Sequence, residues 1–156
     1  MIKFLNLIFV IFSISISSLE QGYPSSQNKF SLLVHKTPTC GCCKKWVKHL
    51  EANSFSTMIK DHQNLQKVKD QYSIKPKYQS CHTAVSQDGY IFEGHIPSKF
   101  IKQFIANPTV DAIGLSVPGM PLGSPGMEVE GRFMPYDVLV LYKDGSSKVY
   151  AEVREG

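Results

Sequence analysis

The chain has 156 residues, 42% of them hydrophobic, and a net charge of +4. That is enough to bury one core and too little for a second large domain. The basic residues are scattered, and no groove of interleaved basic and aromatic side chains is legible, which argues against nucleic-acid binding.

Met1-Ile2-Lys3 is a short basic start, residues 4–16 are almost unbroken apolar sequence, and residues 13–18 supply small side chains suited to signal-peptidase cleavage. Residues 1–18 therefore read as a secretory signal whose apolar core is too short for a membrane span. No cysteine stands at the cleavage region, so no lipid anchor is expected. Residues 19–29 form a polar linker containing Gly22 and Pro24, and residues 30–153 form a single domain working in an oxidising compartment.

Within that domain, residues 30–35 are a short apolar run and predict a strand. Trp46, Val47 and Leu50 recur at helical spacing over residues 44–53, residues 56–60 predict a second strand, and Leu65, Val68 and Tyr72 mark a helix over 64–72. Asp61 or Asn64 can cap that helix, and Ile74-Lys75-Pro76 breaks it. Residues 80–85 and 90–94 flank Gln87-Asp88-Gly89 and read as an antiparallel hairpin. Pro97 opens a helix with Phe100, Ile101, Phe104 and Ile105 on one face, and Pro108 ends it. Residues 117–127 are dense in Gly and Pro, and residues 136–142 and 148–153 form a last hairpin. This order predicts an α/β fold: a thioredoxin-like sheet flanked by helices, with a C-terminal Gly/Pro-rich loop and β-hairpin.

Cys40, Cys42 and Cys43 fall within four residues, between the first strand and the first helix. A helix N-terminus favours negative charge and so favours thiolate, and Lys44 and Lys45 act in the same direction. Four cysteines in a secreted domain would ordinarily suggest two structural disulfides. A bridge from Cys42 to either neighbour would close no useful loop, so the clustering fits chemistry better than stapling. The C-x-x-C spacing brings Cys40 and Cys43 to one face, and three sulfurs in one turn suit a soft ion, Cu(I) or zinc.

Cys81 is the fourth sulfur, on the segment expected to pass the cysteine turn. In a regular strand only one of Cys81 and His82 faces the site; Cys81 is the favoured ligand and His82 stays a candidate. Met120 and Met127 offer neutral soft donors in the Gly/Pro loop, with core packing as the alternative for each. His95, in a Gly-flanked turn, reads as a surface residue. His35, His49 and His62 read as ordinary strand-end, helix and loop residues, and Trp46 as packing.

Together, Cys40-Gly41-Cys42-Cys43 with Trp46, Ser80-Cys81-His82-Thr83-Ala84, Glu93-Gly94-His95-Ile96-Pro97, Val117-Pro118-Gly119-Met120-Pro121, Gly123-Ser124-Pro125-Gly126-Met127-Glu128 and Tyr136-Asp137-Val138-Leu139 resemble the CopG-like family. These are small periplasmic proteins associated with copper resistance. The resemblance covers residues 31–153. It implies a thioredoxin-like fold and a multinuclear copper–thiolate cluster that can change oxidation state. By position the cluster falls on Cys40, Cys42, Cys43 and Cys81, with Met120 and Met127 as looser candidates. The expectation is a periplasmic protein holding Cu(I) in copper resistance, with Cu(I)/Cu(II) redox activity as an extension. Its partners would be the metal ion and a periplasmic copper-handling protein, with no membrane attachment after signal cleavage. Two other readings remain. One is a thiol–disulfide oxidoreductase in which Cys40 attacks and Cys43 resolves; the other is a non-catalytic module that delivers copper.

Overall fold

A computed structural model describes residues 30–155. The signal (1–18) and linker (19–29) readings lie outside the described residues. The elements run β1 (Ser31–Lys36), α1 (Gly41–Ala52), β2 (Ser56–Asp61), α2 (Gln66–Gln71), a 3-10 turn (Pro76–Tyr78), β3 (Thr83–Ser86), β4 (Ile91–Glu93), α3 (Ser98–Ala106), β5 (Ala112–Ser116), β6 (Tyr136–Tyr142) and β7 (Ser147–Val153). Among the described residues no helix is long and apolar enough to cross a membrane.

The strands form one mixed sheet in the order β2-β1-β3-β4-β5-β6-β7. Two neighbouring pairs are parallel, β1 with β2 and β4 with β5, and each is joined across a helix, as a parallel connection requires. The remaining neighbours are antiparallel.

Side chains alternate between the two faces. Leu32 and Val34 of β1 pack with Phe92, Leu115, Val138 and Val140 against Trp46, Val47 and Leu50 of α1 and Ile101, Phe104 and Ile105 of α3. Ile91 and Leu141 point the other way and meet Ile74 and Tyr78, with Tyr72 and Val85 alongside. The sheet is thus covered on both faces, by α1 and α3 on one and by the segment after α2 on the other. Burying a side chain such as Leu50, Phe92 or Phe104 contributes about 1.5–3 kcal/mol each.

The α/β class is as expected, and the sheet is larger than a thioredoxin-like reading needs. The added central strand is β5. Its Gly114 hides the apolar alternation in the sequence, and the structure explains the glycine. Gly114 has φ +149°, and a Cβ there would collide with the Ile91 carbonyl of β4. The ladder between β5 and β6 slips at the same place.

Candidate metal centre

β1 ends at Lys36 and the chain turns through Thr37-Pro38-Thr39 into α1, which begins earlier than the apolar spacing predicts, at Gly41. Cys40 is the N-cap, its sulfur accepting the Cys43 N–H at 3.3 Å. Cys42 and Cys43 lie in the first turn, where free N–H groups and the helix dipole favour negative charge. Cys40 and Cys43 are joined in a disulfide with Cα atoms 5.3 Å apart, while Cys42 and Cys81 are free thiols. The sulfur of Cys42 lies 3.5 Å from that of Cys40 and 3.8 Å from that of Cys81. The sulfurs of Cys43 and Cys81 are 3.5 Å apart. All four converge within 4.8 Å of one another.

Cys81 and His82 precede β3, which begins only at Thr83. Strand alternation therefore does not govern them, and both side chains enter the site, with His82 Nδ1 3.4 Å from the Cys81 sulfur. His95, expected at the surface, is fully buried, and its Nε2 lies 3.1 Å from the same sulfur. The hairpin register is the reason. Thr83 pairs with Glu93, Ala84 with Phe92 and Val85 with Ile91. Counting outward puts residue 95 opposite residue 81, and the Gly94 N–H donates to the His82 carbonyl at 3.1 Å. The Asp88-Gly89 turn carried enough information for this count; the flanking glycine drew attention instead.

The site is poised in neutral form. Burial, and then the neighbouring Cys42, push the Cys81 thiol from its ordinary 9.0 to about 12, so without metal it keeps its proton. The thiolate preference of the helix start does not extend to this sulfur. Burial holds His82 well below the usual imidazole value, helped by the adjacent His95 and Lys69. Burial also lowers His95, opposed by the Pro125 carbonyl and Glu128. His95 Nδ1 is 2.8 Å from the Pro125 carbonyl, which can only accept, so Nδ1 carries the proton and Nε2 is left unprotonated. His82 Nε2 is buried with no partner. The Trp46 ring lies 4.2 Å from that of His82, centroid to centroid, so Trp46 lines the site as well as packing α1.

A buried ion pair holds this segment from behind. The Glu93 carboxylate is bonded by Lys69 Nζ, by the Ser80 N–H at 2.6 Å and by the Thr83 hydroxyl at 2.5 Å. Its donors flank Cys81 and His82 on both sides. Neither Glu93 nor Lys69 is legible as a supporting residue in the sequence, because a helix lysine ordinarily faces solvent.

The loop over residues 117–127 closes the other side. The Ser80 hydroxyl donates to the Gly119 carbonyl, and the Gly119 N–H to that of Gln79 at 3.1 Å. Gly126 has φ +88°, and a Cβ there would lie 2.7 Å from the Cys42 carbonyl and 2.9 Å from the Trp46 backbone nitrogen, so only glycine fits against the cysteine turn. Met127 follows directly and is half-buried, whereas Met120 is 51% exposed. Of the other histidines, His49 accepts the Ser98 N–H at the start of α3 at 3.1 Å, and His35 faces His62 at 2.8 Å.

These features define an α/β domain with a convergent cysteine–histidine site at a helix start. The family profile described as "Protein of unknown function, DUF411" matches residues 78–127, the stretch holding Cys81, His82, His95 and the Gly/Pro loop. No curated protein matches. Two solved structures, titled "Copper resistance protein copG- Form 1" and "Copper resistance protein copG- Form 2", are each 40% identical to this chain with TM-score 0.75. They cover 81% and 80% of this chain and 98% of their own. The chain belongs to the CopG-like copper-resistance family.

Proposed function

We propose that this protein binds Cu(I) on the thiolates of Cys40, Cys42, Cys43 and Cys81 once the Cys40–Cys43 disulfide is reduced, and does so in the periplasm as part of copper resistance. One observation carries the reading: four sulfurs meet from two separate segments of the chain. Two sulfurs each about 2.3 Å from one tetrahedral ion lie about 3.8 Å apart. The three non-bonded sulfur separations, 3.5–3.8 Å, are of that size, so once the disulfide is reduced small side-chain rotations suffice for shared ions. An all-thiolate set is soft and favours Cu(I). His82, Met120 and Met127 remain candidate further ligands, and Cu(I)/Cu(II) interconversion is the enzymatic extension of the same site. A periplasmic copper-handling protein would be the partner. The run from β1 to α3 supports a thioredoxin-like reading of the fold, with β5, β6 and β7 widening it.

The test is anaerobic Cu(I) titration of the fully reduced protein. More than one Cu(I) per chain is expected, with fewer in Cys40→Ser and Cys81→Ser. Full loading in both variants would reject the cluster. Delivery and storage separate from turnover by whether the protein speeds Cu(I) oxidation over free copper under the same oxygen.

The Cys40–Cys43 disulfide at the start of α1 favours thiol–disulfide exchange as a second reading. Turnover of glutathione disulfide or insulin without added metal would support it, and absence of turnover would remove it.

A further inference from the structure

The disulfide that closes Cys40 to Cys43 takes two of the four sulfurs out of play as thiolates. The pocket still holds a donor set. The Cys81 sulfur is 3.1 Å from His95 Nε2 and 3.4 Å from His82 Nδ1, and the three ligand atoms all lie within 4.8 Å of one another. Around a tetrahedral ion with a sulfur at about 2.3 Å and nitrogens at about 2.0–2.1 Å, sulfur and nitrogen stand about 3.5 Å apart. Slight opening of the observed contacts reaches that spacing.

Two further observations point to a ligand. His95 donates from Nδ1 to the Pro125 carbonyl, which turns the lone pair of Nε2 toward Cys81 and fixes the ring. Metal-bound histidines are held in this way, by a carbonyl on the far nitrogen. His82, fully buried, keeps Nδ1 against the thiol and has no partner at Nε2. An imidazole that ligates through Nδ1 carries its proton on Nε2, so this ring can turn the Nδ1 lone pair to an ion beside the Cys81 sulfur.

We propose that with the Cys40–Cys43 disulfide closed, Cys81, His82 and His95 bind a single divalent transition-metal ion, a mode distinct from the Cu(I) cluster of the reduced protein. One thiolate and two imidazoles form a borderline set suited to zinc(II), cobalt(II) or copper(II), where four thiolates form a soft one. Cys81 belongs to both sets, so the two occupancies exclude each other. The oxidation state of Cys40 and Cys43 then selects which ion the pocket accepts. Binding exchanges the Cys81 thiol proton for the ion and transfers no electron. The inference rests on the copper reading only in treating this pocket as a metal site.

Cobalt(II), which does not oxidise thiols, is the probe. The full chain with its disulfide closed is titrated anaerobically without reductant. One cobalt per chain is expected, with a thiolate-to-cobalt charge-transfer band. Cys81→Ser should abolish the band, and His95→Ala or His82→Ala should weaken binding about tenfold or more. The double variant Cys40→Ser with Cys43→Ser lacks the disulfide and two of the four cluster sulfurs, and should bind cobalt as the oxidised protein does. Absence of the band in both proteins, or a band indifferent to both histidine variants, would overturn the inference. Cobalt without Cu(I) loading of the reduced protein would sink the cluster alone, and Cu(I) loading without cobalt would sink this mode alone.

Discussion

Two pairs of imidazoles sit in this fold, and they have opposite surroundings. His35 and His62 bond each other, Nδ1 to Nε2 at 2.8 Å, which leaves His35 Nε2 buried without a partner, and Lys60 is close enough to disfavour added positive charge on His35. His82 and His95 are as close, ring centroids 4.9 Å apart, yet each presents a nitrogen to Cys81. Glu128 makes the field at His95 favourable to positive charge. Proximity of two histidines therefore says little about binding. Lys69 opposes positive charge at His82 as Lys60 does at His35, so it is a third donor of another kind that separates a candidate ligand set from a pair bonded only to each other.

The contrast can be broken at several points. Replacing Glu93 by Ala leaves Lys69 buried without its partner, which should cost about 3–5 kcal/mol in urea unfolding. It also frees residues 80–83, so Cu(I) stoichiometry should fall with stability. Gly126→Ala forces a Cβ against the cysteine turn and should cost about 1–3 kcal/mol. Metal titration of the Gly126 variant should show weaker loading, since the Pro125 carbonyl moves with the loop.

A smaller effect is expected from pH. The Cys81 thiol in the folded apoprotein is raised from 9.0 to about 12, so the unfolded chain releases its proton first. The associated stability is complete below pH 9 and is lost as pH climbs toward 12. Solvent screening at this half-buried residue reduces its size. Thermal melts of wild type and Cys81→Ala across that range would read it, the variant lacking this component of the decline. The smallest change is expected at the other pair: His62→Ala removes one hydrogen bond, about 1 kcal/mol, and should leave metal loading untouched. Lost loading there would erase the distinction between the pairs.

Much of this architecture is written in local pattern. The strands at residues 31–36 and 56–61, the hairpin at Asp88-Gly89 and the last hairpin all follow from alternation and turn residues. The grouping of Cys40, Cys42 and Cys43 at a helix start is equally local. What escaped depends on distance along the chain. β5 is masked by Gly114, whose purpose is visible only when β4 lies beside it. Lys69 and Glu93 are 24 residues apart, and nothing nearby in sequence tells a buried lysine from a solvated one. His95 was readable, but by counting across a turn rather than by inspecting its neighbours.

The register of the β3–β4 hairpin also limits how the protein tolerates change. Ser86 and Tyr90 close a turn of three residues, and the spacing of sulfur and imidazole is measured from it. At about 3.3 Å per residue the turn lies some five residues, about 17 Å, from the pocket. One inserted amino acid there would slide the two arms out of step and carry His95 away from Cys81. A surface bend that touches no donor thus acts as the ruler for the whole centre, and its length is as constrained as the ligands themselves.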